Sequence, residues 1–243
     1  MTAPGFVESV ASVLTTRGVD LSAFGIAWAR ALPTVVAVPA FGLRALPMPL
    51  RAMLGVAIAI AIFPAMAPFE AARANVPWVF VALEQAVAGV PVALATAIPL
   101  WAATMAGGAI DTARNAEAKV DAPTVEKGAT TFGVFFSLLA SAIFLATGGP
   151  ARVATSLISA SLPAHPFAAA AQDLVAGISA AVAIAAPILA ATVVLDAGLA
   201  LTARAASPAP AVTLTAPART LGLLVVLALV FERIARVLAL AQR

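Results

Sequence analysis

Six apolar segments, each bounded by glycine, proline or charged residues, occupy most of this 243-residue chain. Apolar residues make up 63% of the sequence and charged residues only 10%, whereas a soluble domain carries about a quarter charged residues. Such an apolar excess needs lipid or partner subunits around it. The length accommodates about six spans of about 20 residues with short connections. We therefore expect an all-α, polytopic integral membrane protein that forms a single domain over residues 1–243.

The composition also excludes several classes of site. The chain has no cysteine, which removes disulfides, thiolate metal sites and cysteine nucleophiles. The net charge of +3 is small, and no basic run interleaved with aromatic residues indicates nucleic-acid binding. Polar and acidic residues precede the first apolar segment, where a secretory signal would have a basic region, so we expect no cleavage.

Prolines and glycine pairs divide the apolar regions. The second segment is short for a bilayer of about 30 Å, so it must include 47–51 or continue through Pro64. Pro91, Pro99 and Pro187 lie inside the third and fifth segments, which predicts kinks or breaks into helical hairpins. A glycine pair followed by Pro150 ends the fourth. The predicted segments are 23–43, 52–63, 78–105, 132–146, 174–201 and 221–231.

Two further patterns concern the connections between segments. Residues 111–127 form a polar stretch with charges of both signs, and such a stretch belongs in water or in a protein interface. Lysine and arginine are almost evenly divided between alternate connections, so the positive-inside rule does not orient the chain. We interpret this balance as a sign that assembly with partners sets the final position of the chain.

Three ionisable residues, Arg30, Glu84 and Asp196, interrupt apolar segments. Such groups are costly in a membrane and often mark a proton or ion pathway. The alternative is that each lies near a segment end or pairs with a neighbouring helix, and we favour this packing role. His165 lies beside prolines in a polar connection without a second histidine, which predicts a solvated residue rather than a ligand. No G-x-S-x-G nucleophile motif is present.

The order of these landmarks resembles the FliR/SctT-like (SpaR/YscT) export-gate family of type III secretion systems, and the resemblance covers nearly the whole chain. The turn at 39–47, Pro-Ala-Phe-Gly-Leu-Arg-Ala-Leu-Pro, is its most specific part. The chain departs from the family pattern at Asn115, Pro150 and Ala211. The other matching elements are Arg30, Arg44 within the turn, Glu84 with Gly89, Gly107 with Ile110, Asp111 and Arg114, Gly148 with Gly149, Pro187, Asp196 with Gly198, Arg204, Pro208, and Pro217 with Arg219.

The resemblance implies an inner-membrane, multi-pass subunit of a flagellar or injectisome-like export apparatus, without enzymatic activity or cofactors. Its partners would be SctR-like and SctS-like subunits, a SctU-like switch protein, membrane lipid and unfolded secreted proteins, but no nucleic acid. Asp111 and Arg114 are closer to the injectisome branch of the family. The residues implied in assembly or gating are Arg30, Arg44, Glu84, Asp111, Arg114, Asp196, Arg204 and Arg219.

A different class of function is also compatible with the intramembrane acids. A small ion-coupled secondary transporter, or a lipid-handling membrane enzyme, would use Glu84 and Asp196 as proton or cation sites. Transporters commonly contain an internal repeat with matching broken segments. Here Glu84 lies at the start of one proline-containing segment and Asp196 near the end of another, which disfavours that interpretation.

Overall fold

The computed structural model describes residues 16, 20–41, 48–71, 76–113, 119–120, 128–159, 166–205 and 212–241. In an apolar medium the backbone must satisfy its own hydrogen bonds, so long apolar segments become helices. The described residues confirm the predicted all-α membrane fold. Their helices are α1 (Leu21–Ala37), α2 (Met48–Ala71), α3 (Trp78–Ala113), α4 (Thr131–Ala146), α5 (Gly149–Ser159), α6 (Pro166–Ala205) and α7 (Val212–Ala241).

Several of these helices have the length and composition of membrane spans. Within the described ranges, α3 and the Ala171–Ala205 part of α6 each qualify alone, and α4 with α5 qualifies as a broken pair. α1 and the Arg51–Met66 part of α2 are apolar but shorter. At 1.5 Å per residue, the 36 residues of α3 extend about 54 Å, which exceeds a hydrocarbon core of about 30 Å.

The first helix is shorter at its C-terminal end than the predicted segment 23–43. It ends at Ala37, and Val38 has extended dihedral angles of φ −80° and ψ 115°, because the residue before a proline disfavours the helical region. At the other end, the Asp20 carboxylate accepts hydrogen bonds from the hydroxyl and the amide of Ser22. These bonds, with the hydroxyl contributing most, hold the pKa of Asp20 below its usual range.

The longest helices pass through prolines that were predicted to kink them or to break them into hairpins. α3 is continuous across Pro91 and Pro99, and α6 is continuous across Pro187; the expected hairpin breaks are therefore absent at these positions. A proline removes one backbone donor, whereas ending a helix in an apolar environment would expose several backbone groups. α2 begins at Met48 and also continues through Pro64, so it extends in both of the directions that were predicted as alternatives.

The glycine pair ends α4 as predicted. Gly148 has φ +75°, a left-handed conformation that favours glycine, and its amide donates to the Leu145 carbonyl at 3.3 Å. The residues beyond it were predicted to form a hydrophilic connection but instead begin α5. That helix buries Val153 and Leu157, which are four residues apart and therefore share one face.

The chain forms two compact units. The first contains α1, α2, most of α5, and α3 up to Thr96. In this unit α1 and α2 are antiparallel, since Phe24 packs against Phe63 with ring centroids 6.2 Å apart and Trp28 lies against Gly55. The contacts therefore move in opposite directions along the two helices.

The second unit contains α3 from Ala97, α4, most of α6, and α7. α4 contacts α7 through Phe135 and Phe231, whose ring centroids are 6.2 Å apart. α6 approaches α3 where Gly177 faces Ile98, because a β-carbon at position 177 would overlap the isoleucine side chain. Small residues thus allow close helix packing here, as is common between membrane helices.

Candidate functional site

A buried arginine connects α1 to α3 in the first unit. Arg30 is only 1% exposed, and its Nη1 donates a hydrogen bond of 2.6 Å to Oε1 of Gln85. Gln85 is itself buried. Charged residues are almost never fully buried unless they are paired, and hydrogen bonds that involve an ionised group are stronger than neutral ones. Arg30 therefore holds two helices together in the interior of this unit.

A glycine permits the close approach that this hydrogen bond requires. A β-carbon at Gly89, one turn after Gln85, would overlap the backbone carbonyl of Arg30. Towards the start of both helices, the Trp78 indole N–H donates to the Ser22 carbonyl at 3.0 Å. Because these contacts advance together along the two helices, α1 is parallel to this part of α3.

Asp111 connects α3 to the start of α4 in the second unit. Its side chain is fully buried, and Oδ2 accepts a hydrogen bond of 2.6 Å from the backbone amide of Phe132. Thr130 is the N-cap residue of α4 but makes no side-chain capping bond. Phe132 is two residues after this cap, where a capping side chain normally accepts. Asp111 thus caps α4 from another helix.

Asp196 and Arg219 form an ion pair between α6 and α7. Nη2 of Arg219 lies 2.9 Å from Oδ2 of Asp196, with side-chain exposures of 23% and 46%, respectively. Nearby, a β-carbon at Gly222 would contact Leu195 at 3.0 Å. The pairs 196–219 and 195–222 run in opposite directions along the chain, so the two helices are antiparallel.

The predicted residues that the structure describes make their contacts within each unit. Asp196 pairs with Arg219. Glu84 is half-buried on α3, and Arg204 is exposed near the end of α6. Arg44 and Arg114 lie outside the described residues. In the part of the chain that the structure describes, no group of three or more histidine or acidic residues is placed to hold a metal ion. The contacts of Arg30, Asp111 and Asp196 connect helices.

Gln85 and the amide of Phe132 are partners that the sequence did not reveal. Glu84 was chosen in the apolar third segment because it is ionisable, but its uncharged neighbour Gln85 was not, although it accepts a hydrogen bond from Arg30. A signal was present: Gln85 is four residues before Gly89, so both lie on one helix face, and a small residue marks a face where helices approach. The backbone partner of Asp111 has no side-chain signature.

Large apolar side chains remain exposed on both units. In the first unit, Val79, Leu83 and Val87 follow one face of α3 at helical spacing and are 46–66% exposed. In the second unit, the corresponding residues follow the length of α6 and α7. Those residues are Val175, Ile178, Val182, Leu189, Val193, Leu201, Leu221, Val225 and Leu229. Apolar surface of this extent is typical of contact with lipid or with another protein.

Comparison with known proteins identifies the family. The model of the family described as bacterial export proteins, family 1, matches residues 21–241. No curated protein matches the chain significantly. The family match covers every helix described above, together with Arg30, Asp111, Asp196 and Arg219. The chain therefore belongs to the bacterial export proteins of family 1 and is a membrane component of a type III secretion export apparatus.

Proposed function

We propose that this chain is an inner-membrane export-gate subunit that forms part of the protein-export pore together with SctR-like and SctS-like subunits. The observation that carries the proposal is the family match over residues 21–241. In this role the chain makes and breaks no covalent bond. Unfolded secreted proteins pass along a wall to which it contributes, and a SctU-like switch protein is a further partner. The whole of residues 1–243 acts as a single membrane domain.

The length of the exposed apolar faces supports burial against partner subunits. On α6 the exposed residues extend from Val175 to Leu201, a rise of about 39 Å at 1.5 Å per residue. A helix tilted by an average of about 20° would still project about 37 Å of this face along the bilayer normal. The hydrocarbon core covers only about 30 Å. Contact with neighbouring protein would bury the part of this apolar face that extends beyond the hydrocarbon core.

The charged residues support the same role. An ion pair between two helices with exposed apolar faces, such as Asp196 with Arg219, is poorly solvated by lipid. A protein neighbour with its own polar groups would satisfy it better, because an uncompensated buried charge strongly destabilises an assembly. We assign assembly or gating roles to the predicted set, which comprises Arg30, Arg44, Glu84, Asp111, Arg114, Asp196, Arg204 and Arg219.

The competing proposal, an ion-coupled transporter or a lipid-handling enzyme, requires Glu84 and Asp196 as intramembrane ion sites. The double variant Glu84→Gln with Asp196→Asn separates the two functions. A gate subunit should lose assembly or secretion, whereas a transporter should lose ion-coupled uptake and remain folded. Asp173→Asn is the matched control, because it neutralises another acid of α6. Loss of uptake with intact assembly and secretion in the double variant would contradict the gate proposal.

A further inference from the structure

The two ends of the polar stretch between α3 and α4 are tied together by contacts in the second unit. The outer tie is the hydrogen bond from the Phe132 amide to Asp111, which joins residues 21 positions apart. Within it, the Val120 amide donates to the Ala129 carbonyl at 2.9 Å, and Lys119 and Thr130 form an isolated antiparallel bridge. The inner contacts lie between the residues joined by the outer one, so all of them close the same connection between α3 and α4.

At the outer tie, glycines on α3 and α4 allow the two helices to approach closely. A β-carbon at Gly107 would overlap the backbone of Phe132, and a β-carbon at Gly133 would lie only 3.2 Å from the Thr104 carbonyl. Each helix therefore presents a glycine to the backbone of the other. Asp111 lies one turn beyond Gly107, on the same face, which places its carboxylate over the first turn of α4.

The local N-cap does not duplicate this bond. Thr130 precedes α4, but its Oγ1 is buried and has no hydrogen-bond partner among the described residues. An N-cap threonine would normally accept from the first-turn amides. The negative carboxylate of Asp111 suits this position further, because the start of a helix carries partial positive charge. Capping of α4 thus depends on a residue of α3.

We propose that Asp111 is a latch that caps α4 and keeps the polar stretch between α3 and α4 closed at its base. About 20 connecting residues could separate their ends by up to about 70 Å if extended. The Asp111–Phe132 hydrogen bond and the Gly107 contact form the outer of the ties that hold these ends together. Asp111 is a positioning residue: it sets where the polar stretch begins and ends. The inference concerns the fold of the chain and does not depend on the proposed export-gate function.

Distance measurement between α3 and α4 tests the latch directly. Because the chain has no cysteine, spin labels at Met105→Cys and Leu138→Cys would be the only labels in the purified chain. Both positions are exposed and lie away from the tie. The parent should give one narrow distance distribution, and Asp111→Ala should broaden it. In hydrogen–deuterium exchange, the peptide that contains Phe132 should exchange at least about tenfold faster in Asp111→Ala.

A second-site variant separates the latch from simple capping. Thr130→Asp added to Asp111→Ala supplies a carboxylate at the local N-cap position, so exchange at Phe132 should slow again while the distance distribution stays broad. Asp173→Ala is the control, because it removes another acid of the same unit and should change neither measurement. Gly107→Ala should broaden the distance distribution even though Asp111 is retained. If Asp111→Ala does not fold, this variant tests the proposal in its place.

Three results would overturn the proposal. The first is a narrow distribution with unchanged exchange in folded Asp111→Ala. The second is recovery of the narrow distribution by Thr130→Asp, since this would leave Asp111 as a helix cap with no role in closure. The third is a narrow distribution in folded Gly107→Ala. None of these outcomes depends on secretion, so a failure of the latch can be distinguished from a failure of the proposed function.

Discussion

Replacing Gly89 by alanine tests the account of how α1 and α3 pack in the first unit. A β-carbon at this position would overlap the carbonyl of Arg30, which is backbone and cannot move aside by changing rotamer. The helices must separate, and the 2.6 Å hydrogen bond from Arg30 to Gln85, one turn away, must lengthen. The substitution should therefore destabilise the chain although alanine is the better helix former.

The expected magnitude follows from three contributions. Overpacking of a close contact costs about 1–3 kcal/mol, and loss of a hydrogen bond to a charged group costs about 1.5–3 kcal/mol. Alanine in place of glycine returns about 0.5–1 kcal/mol through backbone entropy. With partial relaxation, we expect Gly89→Ala to lower the free energy of unfolding by about 2–4 kcal/mol.

Gly198→Ala is the matched control for this experiment. Gly198 is also inside a helix, but a β-carbon there would meet no atom within 4 Å. This variant should be neutral or up to about 1 kcal/mol more stable. Thermal unfolding in detergent gives the comparison, since about 1 kcal/mol corresponds to about 2–4 °C for a chain of this size. Equal Tm values for the two variants would refute the steric argument at Gly89.

Three further predictions concern individual contacts. Trp78→Phe removes the indole donor to the Ser22 carbonyl and should cost about 1 kcal/mol, measured as a lower Tm; an unchanged Tm would show that this bond adds nothing to stability. For Asp196 and Arg219, a double-mutant cycle on the isolated chain should give a coupling of only about 0.2–1 kcal/mol, because the pair is partly exposed. If the coupling in the assembled apparatus is near zero, the ion pair has no role in assembly. For Asp20, the lowered pKa means that the cap stabilises α1 above the unfolded pKa of about 3.9 and that this contribution is lost as the pH falls through the lower folded value. The Tm difference between wild type and Asp20→Ala should accordingly be constant above about pH 5 and shrink in stronger acid, and a difference that persists unchanged there would contradict this cause.

The sequence predicted the fold class because one constraint dominates it. Long apolar segments without water must satisfy their backbone internally, and this requirement alone identifies helices such as α3 and α6. Helix ends were predicted where a residue's own chemistry sets them, as Gly148 does through its positive φ. The prediction of hairpin breaks was wrong at Pro91 and Pro187, because continuing the helix there costs less than exposing backbone groups.

The predicted site residues were only partly informative about their contacts. Ionisable residues in apolar segments are conspicuous in a sequence, so Arg30 and Asp196 could be selected, and the family resemblance added Asp111. Their partners could not, because Gln85 is uncharged and the partner of Asp111 is a backbone amide. Long-range pairing also depends on which helices lie side by side, and that arrangement is not written in the local pattern of either helix.

Glycines in the sequence give a weaker indication of where a neighbouring helix approaches. Gly89 and Gly107 each precede or follow a polar residue by one turn, and each lies against the backbone of another helix. Glycine alone does not identify its neighbour, since Gly198 lies in open space. A polar residue and a glycine on the same helix face together indicate where a partner helix approaches.

The central claim is that the chain functions as one subunit of a larger export assembly. Native mass spectrometry of the detergent-purified chain, expressed with and without candidate SctR-like and SctS-like partners from the same cell, tests it most directly. The account predicts a single copy of this chain held in a large hetero-oligomer when those partners are present. A stable monomer or homodimer that does not associate with them would contradict it.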